Sequence, residues 1–156
     1  MKGNSMPLFL AQHGRSLPKD QDPEKGLSDA GRGDTIRIAE VAAVYKVQVR
    51  RIIHSGKTRA MQTAAIFEEY LDPPLATRTL SGIAPMDSVE AFAKKIDPKG
   101  NTLVVGHLPF LEGLVSLLTC GDPDTRVYKF QNSGLVCLDE DDGDWFIKWT
   151  LNPQVD

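Results

Sequence analysis

Cysteine is scarce in this chain of 156 residues, with Cys120 and Cys137 the only two. That excludes a disulfide framework of the secreted kind, and two free thiols used for packing are the simpler expectation. No apolar run reaches the about 20 residues that a bilayer-spanning helix needs. The opening "MKGNSM" has no apolar stretch of the signal-peptide type, so a cytosolic protein is expected, without a membrane partner. Excess charge is missing too. With 18 basic and 21 acidic residues the net charge is −3, which leaves no electrostatic footprint for nucleic acid. Internal repeats, low-complexity tracts and domain linkers are also absent. What remains, 41% apolar and 25% charged residues, is the composition of one ordinary globular domain. We expect a single domain over 1–156, with residues 1–6 a flexible N-terminal extension.

Short apolar runs alternate with helical periodicities. Residues 7–12 (PLFLAQ) read as a buried strand. Residues 18–26, with their prolines and charges, read as an exposed loop. Ser28 then has the character of an N-cap, followed by Ile38, Val41, Ala42 and Tyr45 at the spacing of one apolar helix face. A second strand is predicted at 49–53, and a helix after Ser55 that buries Ala60, Thr63, Ala64, Phe67 and Leu71 until "DPP" at 72–74 stops it. A weaker helix is predicted over 87–96. Residues 102–106 (TLVVG) form a third strand, and Pro109 suits the start of a helix with Leu111, Leu114, Val115 and Leu118 on its apolar face. Two strands, 134–140 and 144–151, close the chain around "EDDGD", read as a solvated hairpin turn because it lacks the spacing of a calcium loop. Trp145 and Trp149 lie four apart and are expected to face the same way as core residues. The pattern implies a three-layer α/β/α sandwich with a mainly parallel sheet and an antiparallel C-terminal hairpin.

In such sheets ligands bind beyond the carboxyl ends of the strands, and here each strand exit carries polar chemistry. The first delivers Gln12, His13 and Arg15; the second Ser55, with Arg59 in the following helical turn; the third His107. Two imidazoles, arginine and two helix N-termini make a pocket for an anion, since helix starts offer free N–H groups and guanidinium forks fit phosphate. Imidazole is also among the side chains that form covalent intermediates. His54 has no such partners and is expected to be structural.

These residues fall within motifs that resemble those of the histidine phosphatase, or phosphoglycerate mutase-like, superfamily. "QHG" at 12–14 stands where the family has R-H-G. "LSDAG" at 27–31, "SGKTRAMQTA" at 55–64 and "VVGHLP" at 104–109 follow the family's other segments. The match is nearest to its short bacterial branch, the SixA-type phosphohistidine phosphatases. The resemblance implies that His13 attacks phosphorus and carries a phosphohistidine. Arg59 and His107 would hold the phosphoryl oxygens, Ser55 would cap the helix bearing Arg59, and neither metal nor cofactor is required. The implied partner is a phosphohistidine-bearing protein, with small phosphomonoesters, in a phosphatase or mutase reaction, as the alternative.

Two departures stand out. Gln12 replaces the family arginine, so Arg15 becomes a candidate for the missing phosphate-binding charge, and a catalytically impaired phosphate-binding module is a further alternative. The position of the family's acid holds Gly82, leaving Asp87 as the nearest candidate general acid, although a role at the start of the next helix competes. Other readings fit less well. "GKT" at 56–58 lacks the first glycine of a P-loop, since Arg51 stands there, and the three histidines lack the spacing of a zinc site.

Overall fold

The computed structural model describes residues 7–97 and 100–155; the expectation for residues 1–6 lies outside them. Strands β1 (Leu8–Gln12), β2 (Arg51–His54), β3 (Arg78–Thr79), β4 (Thr102–Gly106), β5 (Leu135–Asp141) and β6 (Asp144–Leu151) form one sheet in the order β3-β2-β4-β1-β5-β6. The first four run parallel; β5 is antiparallel to β1 and β6 to β5. Helices α1 (Asp29–Val44) and α2 (Thr58–Leu71) cover one face, α3 (Val89–Ala93) and α4 (Phe110–Cys120) the other. This is the expected three-layer architecture. The two-residue edge strand β3 was not predicted, being too short to show any periodicity.

Alternation along the strands sorts the core into two layers. Phe9, Ala11, Ile52, Leu103 and Val105 meet α1 and α2. Leu8, Leu10, Ile53 and Val104 meet α3 and α4. Ser28 caps α1 as expected, its Oγ accepting from Gly31 N–H at 3.0 Å. The buried stripe of α1 differs from the predicted one. Gly31, Thr35, Ile38, Ala39 and Ala42 face inward, whereas Val41 and Tyr45 are exposed. Glycine and threonine occupy the inner face near the site, so counting apolar residues rotated the helix wrongly. In α2, Ala60, Thr63, Ala64 and Phe67 are buried as predicted, joined by Ile66, while Leu71 is only half-buried. Cys137 is buried in the sheet and its thiol is pushed up to about 12 by burial, but Cys120 is exposed rather than packed.

The hairpin corrects another expectation. Cys137 pairs with Trp149 but Leu138 with Ile147, so Lys148 is an extra residue in β6. A bulge of this kind reverses the side-chain alternation beyond it. Trp149 therefore packs with Phe9, ring centroids 6.0 Å apart, while Trp145 joins the opposite layer. The acidic turn is a tight connection, with Asp142 and Gly143 both at positive φ (50° and 87°), the geometry Asp-Gly favours in two-residue hairpins. Among the described residues no helix is long and apolar enough to cross a membrane.

One packing contact controls how the site is held. The segment after β1 lies directly on the first turn of α1. A Cβ on Gly31 would stand 2.1 Å from the Arg15 carbonyl oxygen, and one on Gly14 would stand 2.8 Å from Thr35 Oγ1. The glycines of "HG" and "LSDAG" thus permit one close approach of backbone to backbone. Two substitutions in α1 should have opposite signs. Gly31→Ala loses about 3 kcal/mol or more of stability through overpacking. Gly33→Ala, whose Cβ would meet nothing within 4 Å, gains up to about 1 kcal/mol from helix propensity. Chemical denaturation of both variants checks this; equal effects would refute the contact.

Candidate active site

The site lies where the sheet's connections diverge. From β1 the chain leaves through α1 on one face, and from β4 through α4 on the other, so a crevice opens above their carboxyl ends. Gln12 pairs with Gly106, and His13 N–H donates to the Gly106 carbonyl at 3.1 Å. His13 and His107 therefore emerge abreast, with ring centroids 5.1 Å apart at 50°. His54 pairs with Val105 one strand over, which brings Ser55 level with them. Its Oγ lies 2.5 Å from His107 Nε2.

Arg59, on the first turn of α2, donates from Nε to His13 Nε2 at 3.3 Å. His13 Nδ1 lies 2.8 Å from the Gly14 carbonyl, which can only accept. Nδ1 thus carries the proton, and the lone pair of Nε2 receives the Arg59 Nε–H. Burial pulls the His13 pKa down to about 4; the cations Arg59 and Lys25 add to the shift, and the Gly14 hydrogen bond opposes it. Burial likewise brings His107 to about 3, with His13, Arg59 and Lys57 reinforcing it. Burial lowers the pKa of Arg59 as well. Both imidazoles are neutral at pH 7, among cations.

Residues with no evident chemistry in the sequence hold this arrangement. Thr63 Oγ1 accepts from Gly14 N–H at 2.9 Å and donates to the Arg59 carbonyl at 2.8 Å, tying the two motifs together. Gln62 Oε1 accepts from Leu27 N–H at 2.7 Å. Thr35 Oγ1 donates to the Gly31 carbonyl at 2.8 Å and meets Ser133 Oγ at 2.7 Å. Asn132 Nδ2 donates to the His13 carbonyl at 2.9 Å. The repeated polar residues of "RAMQTA" signalled this; Asn132 and Ser133, reached only through the fold, had no local signal.

The other candidates are distributed as follows. Ser55 does not cap α2: Lys57 is the N-cap residue, without a side-chain cap, and the Ser55 hydroxyl is turned to His107. Gln12 is buried directly before His13, its Oε1 without a hydrogen-bond partner. Arg15 is engaged elsewhere, its guanidinium 2.9 Å from Asp34 and half exposed. Asp87 accepts from Ala84 N–H at 2.8 Å and precedes Ser88, the cap of α3. His54 is buried and accepts from Gly56 N–H at 3.1 Å, a structural role. Among the described residues no three His, Cys, Asp or Glu side chains gather as metal ligands.

Comparison with known proteins shows what the chain is similar to. No family model matches the chain. The phosphohistidine phosphatase SixA of Escherichia coli (strain K12) is 27% identical over 156 residues, covering 95% of this chain and 94% of that protein. The structure of the protein histidine phosphatase SixA complexed with tungstate superposes with a TM-score of 0.82 at 24% identity, over 95% of this chain and 97% of that one. The chain resembles the SixA-type histidine phosphatases in sequence and in fold. A structure described as the phosphohistidine phosphatase SixA of Agrobacterium tumefaciens gives a TM-score of 0.77 at 21% identity, over 97% of this chain and all of that one (100%). The mixed sheet with its antiparallel last pair is that of the phosphoglycerate mutase-like α/β fold.

Depressed imidazole pKa values bear on folding as well. The unfolded chain takes up protons near pH 6.5, the folded one only near 4 and 3, so stability falls as pH drops through this window. Imidazole NMR should find both rings neutral at pH 6, with His13 as the Nδ1–H tautomer. A midpoint near 6.5 for either would refute the burial argument.

Proposed function

We propose that the chain is a phosphatase working through a covalent phosphohistidine on His13, with protein-bound phosphohistidine as its favoured substrate. The observation that carries this is the His13 ring, whose bond to the Gly14 carbonyl leaves Nε2 unprotonated beside the Arg59 guanidinium, with the buried His107 ring and Ser55 next to it. Tungstate, held by the structural relative, is a tetrahedral oxyanion like phosphate.

Phosphoryl transfer needs in-line positioning and charge stabilisation more than covalent help. In this reading Arg59 turns its Nε–H from His13 Nε2 to a phosphoryl oxygen, which frees the lone pair to attack phosphorus, while His107 holds another oxygen and Ser55 orients His107. The bond from phosphorus to the substrate nitrogen breaks. A phosphohistidine ring protonated on its second nitrogen departs as neutral imidazole, so this substrate makes little demand on a general acid, the role for which Asp87 is the candidate. The same logic serves the second half. Because Gly14 holds a proton on Nδ1, His13 is itself a neutral leaving group when water attacks phosphorus, yielding orthophosphate and the starting tautomer. Gln12 supplies an amide in place of a charge, and Arg15 can join only by leaving Asp34. The uncharged Gln12 in place of an arginine is what favours a second reading, a phosphate binder with impaired turnover.

Incubation with phosphoramidate and a basic quench should leave acid-labile phosphate on His13, detected by mass spectrometry. His13→Ala should abolish turnover of phosphohistidine, and Arg59→Ala should slow it by roughly a hundredfold to a thousandfold, as for other oxyanion donors. Binding of phosphate without any label or turnover would instead establish the binder. A label on another residue would overturn the assignment of His13.

A further inference from the structure

Short α3 leaves part of its sheet face open, and a groove of about 460 Å3 runs there over β2 and β3. Its floor is apolar, with Leu75, Leu80 and Ile96 partly exposed above the buried Ile53, Val104 and Phe92. Its walls are cationic. Arg50 and Arg51 come from the start of β2, Arg78 from β3, and Lys95 from the segment after α3. Asp97 is the one carboxylate among the described lining residues. Four cations around one groove run against the chain's net charge of −3.

Nothing described in the molecule neutralises them. Among the described residues no ion pair includes Arg50, Arg51, Arg78 or Lys95. Arg51 is half-buried, and its Nε is enclosed without a hydrogen-bond partner. Desolvating part of a guanidinium without a partner is costly, and the cost is recovered when an anion arrives. The groove is distinct from the histidine pocket: its lining reaches Ser81 and Gly82 beyond β3, but none of His13, Ser55, Arg59 and His107 lines it, and Arg50 and Arg51 stand at the opposite end of β2 from Ser55.

We propose that this groove docks an acidic segment of a partner protein. The cations are spread along β2, β3 and the end of α3 instead of converging on one point, which suits several carboxylates along an extended chain better than a single small anion. The apolar floor suits side chains between the carboxylates, and the chain's negative charge disfavours a nucleic acid. The inference stands apart from the phosphatase reading, since it requires no turnover.

A labelled peptide alternating glutamate and alanine is the probe, with its lysine counterpart as control. The acidic peptide should bind saturably, and at least about tenfold more weakly when salt rises from about 0.1 M to about 1 M. The folded triple variant R50E/R78E/K95E should bind it at least about tenfold more weakly, with R50Q/R78Q/K95Q intermediate and p-nitrophenyl phosphate hydrolysis unchanged in both. Inorganic phosphate should not compete. Absence of saturable binding, undiminished binding by the variants, competition by phosphate, or tighter binding of a DNA oligonucleotide would each overturn the proposal.

Discussion

The hydrogen bond from His13 N–H to the Gly106 carbonyl, 3.1 Å long, extends the β1–β4 ladder one residue past the sheet. The rest of the site depends on it. Parallel strands in register put equivalent positions side by side, so residues next after Gln12 and Gly106 must be neighbours. A slip of one residue would turn one imidazole to the opposite face. The two buried core layers, which differ in their helices, make such a slip costly. Hydrophobic patterning along β1 and β4 thereby sets the distance between two polar rings that take no part in it.

Around that ladder the motif residues divide the labour. Gly14 and Gly31 let the loop lie against α1, while Thr63 links Gly14 to the carbonyl of Arg59. The loop that carries His13 is thus tied to the helical turn that carries Arg59 by a buried hydroxyl one turn further on. Such a hydroxyl satisfies the Gly14 N–H, which would otherwise be left unpaired, and shares the Arg59 carbonyl with the helix ladder.

Sequence reading recovered the layers, the strand ends and the convergence of His13, Ser55, Arg59 and His107, because burial periodicity and strand-end polarity are local signals. It failed where the signal is not local. The turn of α1 was misjudged because its inner face near the site holds Gly31 and Thr35, chosen for close approach. The orientation of Trp145 was misjudged because a one-residue bulge at Lys148 leaves no mark in composition. Arg15 looked like a replacement for the arginine absent at Gln12, yet Asp34, nineteen residues on, holds it; only the packing of α1 against the loop brings that carboxylate near. Ser55 looked like a cap, but a hydroxyl at a strand end has two possible partners, and His107 is the one that the register supplies.

Under the proposed function, charge around the two histidines is arranged for a ligand rather than for the empty protein. Burial keeps both imidazoles neutral, and each is depressed further by nearby cations. A bound dianion reverses those terms: it attracts protons, repays Arg59 for its desolvation, and favours the charged form of His107, whose Nδ1 is buried without a partner. An arginine at position 12 would add a permanent positive charge and hold the imidazole pKa values lower still. Glutamine there makes the crevice less positive when empty and leaves more of its response to the ligand. In the proposed reaction His107, neutral when free and protonatable when occupied, would follow the phosphoryl group's charge, a role that a fixed guanidinium cannot fill.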